Sequence, residues 1–237
     1  MCGVTAVVFV IDDDASMRAA LEDLIASVQL EVRLFASPQQ FLSSERPDVP
    51  SCLVLDVRLP GMSGLSFQKE LARIGVVLPV IFMTGHGDIA MSVQAMKAGA
   101  IDFLTKPFRD HDMLDAIHAA IKSDEERRRT AGLVERLAVR YATLTERERQ
   151  IMNLVAIGRV NKHIAAELDL SEMTVKVHRG QVMRKMDARS LPELVRMADR
   201  LTDCSNVEAD LHPNRRMSRS VGPVSNPKGL GRARARN

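Results

Sequence analysis

Short, almost purely apolar runs recur along the first half of the chain: residues 6–11 (AVVFVI), 32–35 (VRLF), 52–55 (CLVL), 80–83 (VIFM) and 101–104 (IDFL). Several are too continuous for a strand with one wet face, and fit parallel strands covered on both sides. Helical spacing fills the intervals. Residues 17–28 set Met17, Leu21, Leu24, Ile25 and Val28 on one face, with Ser16 placed to cap the helix. Residues 63–74, 88–98 and 109–129 read in the same way. Strands alternating with helices predict a five-stranded, parallel, doubly wound α/β domain over 1–122. Ligands of such a sheet sit at the carboxyl ends of its strands.

Past Lys122 the strand signal stops. The stretch SDEERRRTAGLVERLAVRYA is charged and helix-prone, with only a thin stripe of Leu133, Val134, Leu137 and Tyr141, and predicts a helical linker over 123–143. Four helical patterns follow, over 145–157, 161–168, 172–186 and 191–201, making a small all-α domain over 144–203. Thr145 and Glu148 have capping-box spacing, and Ser171 stands where the third helix needs an N-cap. From Cys204 the chain has no aromatic residue, scatters Pro, Gly and Ser, and ends in GRARARN. Residues 204–237 are expected to be a basic, disordered tail.

Composition narrows the function classes. The chain of 237 residues is 46% hydrophobic and 27% charged. No apolar run reaches the ~18–20 residues of a membrane span, and no basic region precedes the first apolar stretch, so a cytoplasmic protein without a membrane partner is expected. Cys2, Cys52 and Cys204 are too scattered for a disulfide framework or a local zinc site. Aromatics are 3% with no Trp, which argues against nucleic acid held on aromatic platforms. The net charge of +3 conceals an uneven distribution. Residues 1–122 hold 10 basic against 15 acidic side chains, 123–203 hold 16 against 13, and 204–237 hold 7 against 2. An acidic front and a basic back point to two tasks, the second on a polyanion.

The chemistry concentrates at predicted strand ends. Asp12 and Asp13 follow the first strand and Asp56 the third; Thr84 closes the fourth, and Lys106, followed by Pro107, the fifth. Taken singly, a strand-end Asp is more often a helix cap. Together, three converging carboxylates need a hard cation, for which Mg2+ suits an oxygen-only site. A hydroxyl and an ammonium beside them supply what phosphoryl oxygens need. Asp14 reads as a spare loop charge, His86 as a solvated loop histidine and Cys52 as packing.

The segments VIDDD, LVLDVRLPGMSG, IFMTGHGD and KAGAIDFLTKPF resemble the receiver domain of two-component response regulators, whose fold is flavodoxin- or CheY-like. The resemblance implies that Asp56 is the phosphoacceptor, taking its phosphoryl group from a sensor histidine kinase. It implies that Asp12, Asp13, Asp56 and the backbone carbonyl of Arg58 hold Mg2+, and that Thr84 and Lys106 bind the phosphoryl oxygens. Phe103 becomes the aromatic that turns inward on switching, and the Lys106–Pro107 bond is expected to be cis. The 88–98 helix and the 101–106 strand become the dimer face, with Ile89, Val93 and Met96 available for apolar contact.

In residues 172–186, helical phase puts Val175, Val182 and Met186 on one side and Lys176, Val177, Gly180 and Arg184 on the other. Cations around a glycine and one apolar side chain suit a major groove. His178 leans to the buried side and Arg179 borders both. The segment TERERQIMNLVAIGRVNKHIAAELDLSEMTVKVHRGQVMRKM resembles the helix-turn-helix of the NarL/FixJ (LuxR-type) regulators. On that resemblance NKHIAAEL is the first helix, LDLS the turn, and the next helix the recognition helix. Thr174, Lys176, Val177 and Gly180 then lie near the bases, while Lys162 and Arg184 touch phosphate.

The combined expectation is a response regulator, not an enzyme beyond self-catalysed phosphoryl transfer onto Asp56 and its hydrolysis. Phosphorylation promotes a homodimer that binds a two-fold site on double-stranded DNA, with RNA polymerase a further partner and activation the expected direction. Two other classes compete. An aspartyl-phosphate phosphatase or phosphotransferase needs a second acid two residues after its nucleophile, where this chain has Arg58. A phosphate-independent interaction module has no need of the full set of Asp12, Asp13, Asp56, Thr84 and Lys106.

Overall fold

A computed structural model describes residues 6–85 and 89–211, with side chains described over 6–85 and 90–202. His86, the Ile89 side chain and residues 212–237 lie outside the described residues. The chain divides into two compact units, Met1–Leu133 and Val134–Asn237.

The first unit is built on five parallel strands: β1 (Val7–Ile11), β2 (Glu31–Phe35), β3 (Ser51–Asp56), β4 (Val80–Thr84) and β5 (Asp102–Thr105). Their order is β2-β1-β3-β4-β5, so β1, β3 and β4 are interior and almost wholly buried. That explains their unbroken apolar runs. One face carries Val8, Val10, Val54, Ile81 and Met83, covered by Leu21 and Ile25 of α1 (Ala15–Ser27) and by Met113 and Ile117 of α5 (Asp110–Ala142). The other carries Phe9, Leu53, Leu55 and Phe82. Phe41 of α2 (Pro38–Leu42), Phe67 and Leu71 of α3 (Gly64–Arg73), and Ala95 of α4 (Ile89–Lys97) cover it. Cys52 packs inside the first of these cores. Burial, reinforced by the nearby Asp124 charge, pushes its thiol up to about 12, so it stays an uncharged filler.

Two local readings of the sequence need correction. Helix α2 was not expected. Five residues are too few to show a period, and it is held by Ser37 capping the Gln40 amide at 3.4 Å and by Phe41 packed against the rings of Phe9, Phe35 and Phe67. The cap of α1 is Asp14, which accepts from the Ser16 amide at 2.8 Å, so Ser16 is not the cap and Asp14 is not a spare charge. The helical readings over 109–129 and 123–143 overlap, and the structure joins them in one helix, α5. On it the buried Asp124 accepts from Arg127, from Arg128 and from the Ser51 amide that begins β3, at 2.6 to 3.0 Å. Arg128 also reaches Asp48. This charge-paired cluster lies at the amino-terminal edge of β3.

The second unit contains α6 (Glu146–Ala156), α7 (Asn161–Leu168), α8 (Glu172–Met186) and α9 (Leu191–Leu211). Helix α9 runs past residue 203, where the tail was expected to begin; its next helix breaker is Pro213. Ile151, Met152, Val155, Ile164, Val175, Val182, Met186 and Leu194 form the core. Asp169, in the left-handed region at φ +53°, turns the chain from α7 to α8.

A capping box opens α6: the Glu148 amide donates to Thr145 Oγ1 at 3.3 Å, and the Thr145 amide to Glu148 Oε2 at 2.7 Å. The same carboxylate receives Lys185 of α8 at 2.6 Å. Burial works to raise the Glu148 pKa, but Lys185 and Thr145 outweigh it and hold it below its ordinary 4.5. A carboxyl depressed by folding contributes stability above 4.5 that is lost as pH falls through its folded value. Glu148→Gln is therefore expected to destabilise this unit at pH 7. On acid titration the wild-type unfolding free energy should converge toward the variant's below pH 4.5. Denaturant unfolding followed by circular dichroism measures the difference.

Candidate functional site

The strand order sets the carboxyl ends of β1, β3 and β4 side by side, with β5 next to β4. Asp12 follows β1, Asp56 ends β3, Thr84 ends β4 and Lys106 follows β5. These residues lie far apart in sequence and meet because β1 inserts between β2 and β3. The ammonium of Lys106 donates to Asp12 Oδ2 at 2.7 Å and to Asp56 Oδ2 at 2.6 Å, across 94 and 50 positions of chain. Its backbone amide donates to the Thr84 carbonyl at 2.7 Å, which fixes the loop that carries it. The Lys106–Pro107 peptide is cis, as the resemblance implies.

Each carboxylate keeps one oxygen on the backbone. Asp12 Oδ1 accepts the Asp14 amide and Asp56 Oδ1 the Arg58 amide, both at 2.8 Å. Asp12 is fully buried, and burial pushes its carboxyl up despite the Lys106 contact. Burial alone would lower Lys106, but hydrogen bonds to both acids raise it above its ordinary value, so it remains an ammonium. Asp13 is exposed, and one oxygen from each of Asp12, Asp13 and Asp56 lies within 4.8 Å of the others. Three carboxylates facing a single ammonium form an oxygen-only, net-anionic cluster, a donor set that suits a hard divalent cation. Thr84 is buried, and Phe103 is half-buried with its ring centroid 6.4 Å from that of Phe82.

Gly64, the last residue of the LVLDVRLPGMSG segment, lies against this site just after Ser63, which caps α3. A Cβ at Gly64 would fall 2.5 Å from the Asp56 carbonyl oxygen and 3.1 Å from Val57 Cα. Its amide donates to the Val57 carbonyl at 2.9 Å, so α3 begins pressed against the backbone that carries Asp56. Arg18 of α1 similarly donates to the Asp12 and Asp13 carbonyls at 2.7 and 3.0 Å.

In the second unit, α8 buries Val175, Val182 and Met186 and exposes Lys176, Val177, Gly180 and Arg184, the division expected from its phase. Lys162 on α7 is also exposed. Thr174 is half-buried, and its hydroxyl pairs with Ser171 Oγ at 2.8 Å. Two further cations of α8 are committed within the unit. Arg179 donates to Asn161 at the start of α7, and Lys185 to Glu148. Arg184 donates to Gln181 at 2.6 Å while remaining exposed.

Comparison with known proteins accounts for both units. The family described as "Response regulator receiver domain" matches residues 8–118, and "Bacterial regulatory proteins, luxR family" matches 142–198. Nodulation protein W of Bradyrhizobium diazoefficiens is 55% identical over 201 residues, covering 85% of this chain and 88% of its own. Transcriptional regulatory protein FixJ of the same species is 43% identical over 193 residues, covering 81% and 94%. Among solved structures, response regulator StyR superposes with a TM-score of 0.71 at 45% identity, covering 82% of this chain and 98% of its own.

The contact at Gly64 generates a prediction. Gly64→Ala must shift the Asp56 backbone or the start of α3, and binding of beryllofluoride, a mimic of the phosphoryl group that the resemblance puts on Asp56, is expected in the presence of magnesium to weaken about tenfold, ~1.4 kcal/mol, by isothermal titration. Unaltered binding would show that the Asp56 backbone does not depend on this close approach.

Proposed function

We propose, for a chain that belongs to the NarL/FixJ-type two-component response regulators, that the Asp12–Lys106–Asp56 bridge is the resting state of a phosphorylation switch. As a member of that family the chain is a transcription regulator, and its domains are those of DNA-binding response regulators rather than of enzymes.

On this proposal Asp56 is the nucleophile. One of its carboxylate oxygens attacks the phosphorus of a kinase phosphohistidine; the P–N bond breaks, the imidazole leaves with a proton and an acyl phosphate forms on Asp56. Lys106 is already 2.6 Å from the attacking carboxylate, and its ammonium passes from that oxygen to the incoming phosphoryl group without leaving the site. Thr84, at the end of the neighbouring strand, supplies a hydroxyl to the same group. Asp12, Asp13, Asp56 and the Arg58 carbonyl would hold Mg2+, which neutralises phosphoryl charge when bound. Water later hydrolyses the acyl phosphate.

Moving Lys106 and Thr84 onto the phosphoryl group changes the surface that includes Phe103 and α4. A state in which that surface is rearranged gains stability only with phosphate present, which is the differential interaction any switch requires. Receivers pair through the α4 and β5 face, where Val93 and Met96 are exposed. The two helix-turn-helix units then engage a two-fold DNA site with α8 in the major groove. RNA polymerase is the downstream partner and activation the direction. No described helix is long and apolar enough to cross a membrane, in keeping with a cytoplasmic regulator.

The Lys106 bridge carries this reading, since one ammonium on two carboxylates at 2.6 and 2.7 Å is the geometry a phosphoryl group would complete. The test uses a radiolabelled small-molecule phosphodonor and magnesium. Wild type should take up one hydroxylamine-labile phosphate and Asp56→Asn none. Affinity of the wild type for its DNA site should rise by about 10² or more through pairing of two binding units. Label retained by Asp56→Asn, or DNA affinity indifferent to the donor, contradicts the proposal.

A further inference from the structure

Helix α8 exposes more than the cations and glycine of its outer face. Met173, in its first turn, is 69% exposed, and no large hydrophobic side chain among the described residues is more so; Val177, one turn on, is 56% exposed. At about 100° per residue, Val177, Arg184, Met173 and Gly180 fall within roughly 60° of arc, with Lys176 at the margin. Met173 is thus inside the exposed strip, at the end of the helix that meets bases first when such a helix enters a groove. The acidic Glu172 points about 100° away from Met173.

The rest of the strip suits a polyanion that comes very close. An added Cβ at Gly180 would meet nothing within 4 Å, so no contact inside the protein requires a glycine there. A mid-helix glycine destabilises a helix relative to alanine. Its use is to let something outside approach the backbone. Arg179 and Lys185 are paired within the unit, which leaves Lys176 and Arg184 as the exposed cations of the strip. An unbranched, polarisable thioether one turn from the exposed Lys176 is matched by the one apolar group on a base edge in the major groove, the thymine C5-methyl.

We propose that Met173 is a specificity-determining residue of this DNA-binding unit, and that it reads a thymine methyl beside the base step met by Val177. The inference rests on the DNA-binding reading of α8. Burial of a methyl group by Met173 is expected to be worth about fourfold in affinity, since a buried CH₂ contributes ~0.8 kcal/mol.

The experiment uses the full-length chain with magnesium and beryllofluoride to select a duplex from a randomised library. Each thymine of the selected duplex is then replaced in turn by deoxyuridine, which removes only the methyl. Wild type should lose about fourfold at one or two positions per half-site. Met173→Ala should bind the thymine and deoxyuridine forms of one of those positions equally, and Met173→Leu should restore the difference. Lys162→Ala should weaken both forms alike, as loss of a phosphate contact does. Thymine discrimination that Met173→Ala leaves unchanged at every position overturns the inference while leaving DNA binding intact. Failure to select any sequence overturns the DNA-binding reading, and the inference with it.

Discussion

One ammonium shared by two carboxylates organises the receiver unit. Lys106 reaches Asp12 at 2.7 Å and Asp56 at 2.6 Å, and the β2-β1-β3-β4-β5 strand order brings these three positions together. Burying Asp12 beside a second carboxylate is unfavourable unless a cation offsets it. The offset is incomplete, because Lys106 pairs with Asp12 and Asp56 while the exposed Asp13 adds a third carboxylate to the cluster. The cluster therefore holds net negative charge, which suits a divalent cation, beside one ammonium. On the proposed switch, that ammonium is the group that meets the phosphoryl oxygens.

The surroundings hold that arrangement in place through the backbone. The amides of Asp14 and Arg58 fix one oxygen on each acid, Arg18 fixes the carbonyls after β1, and the Gly64 contact fixes the chain at Asp56. The DNA-reading unit follows a different plan. There Glu148 joins α6 to α8 through Lys185, and Arg179 joins α8 to α7 through Asn161. Those two cations serve as internal ties, while Met173, Val177, Gly180, Lys176 and Arg184 are left exposed on α8. On the proposed reading these five face the DNA, and the glycine gives up helix stability for access to the backbone.

Much of this was legible in the sequence because the physics was local. Interior parallel strands must be apolar on both faces, so β1, β3 and β4 stand out as unbroken runs, and their terminal polar residues identify the site. The capping box at Thr145 and the buried face of α8 follow from spacing alone. What escaped depends on tertiary contacts. Helix α2 exists because Phe41 fits between three other rings. The role of Gly64 appears only when α3 lies against Asp56. The Asp14 cap competes with Ser16 two residues on, and the folded backbone chooses between them. Met173 carries no signal until α8 is seen to leave it in solvent.

On the proposed switch, charge added at Asp56 is converted into association of two receivers. Sedimentation of the protein with magnesium, with and without beryllofluoride and alongside Asp56→Asn, is the decisive measurement. A monomer should become a dimer only with the phosphoryl mimic and only when Asp56 is present. A mass that ignores beryllofluoride, or an Asp56→Asn variant that dimerises with it, would show that Asp56 does not control association.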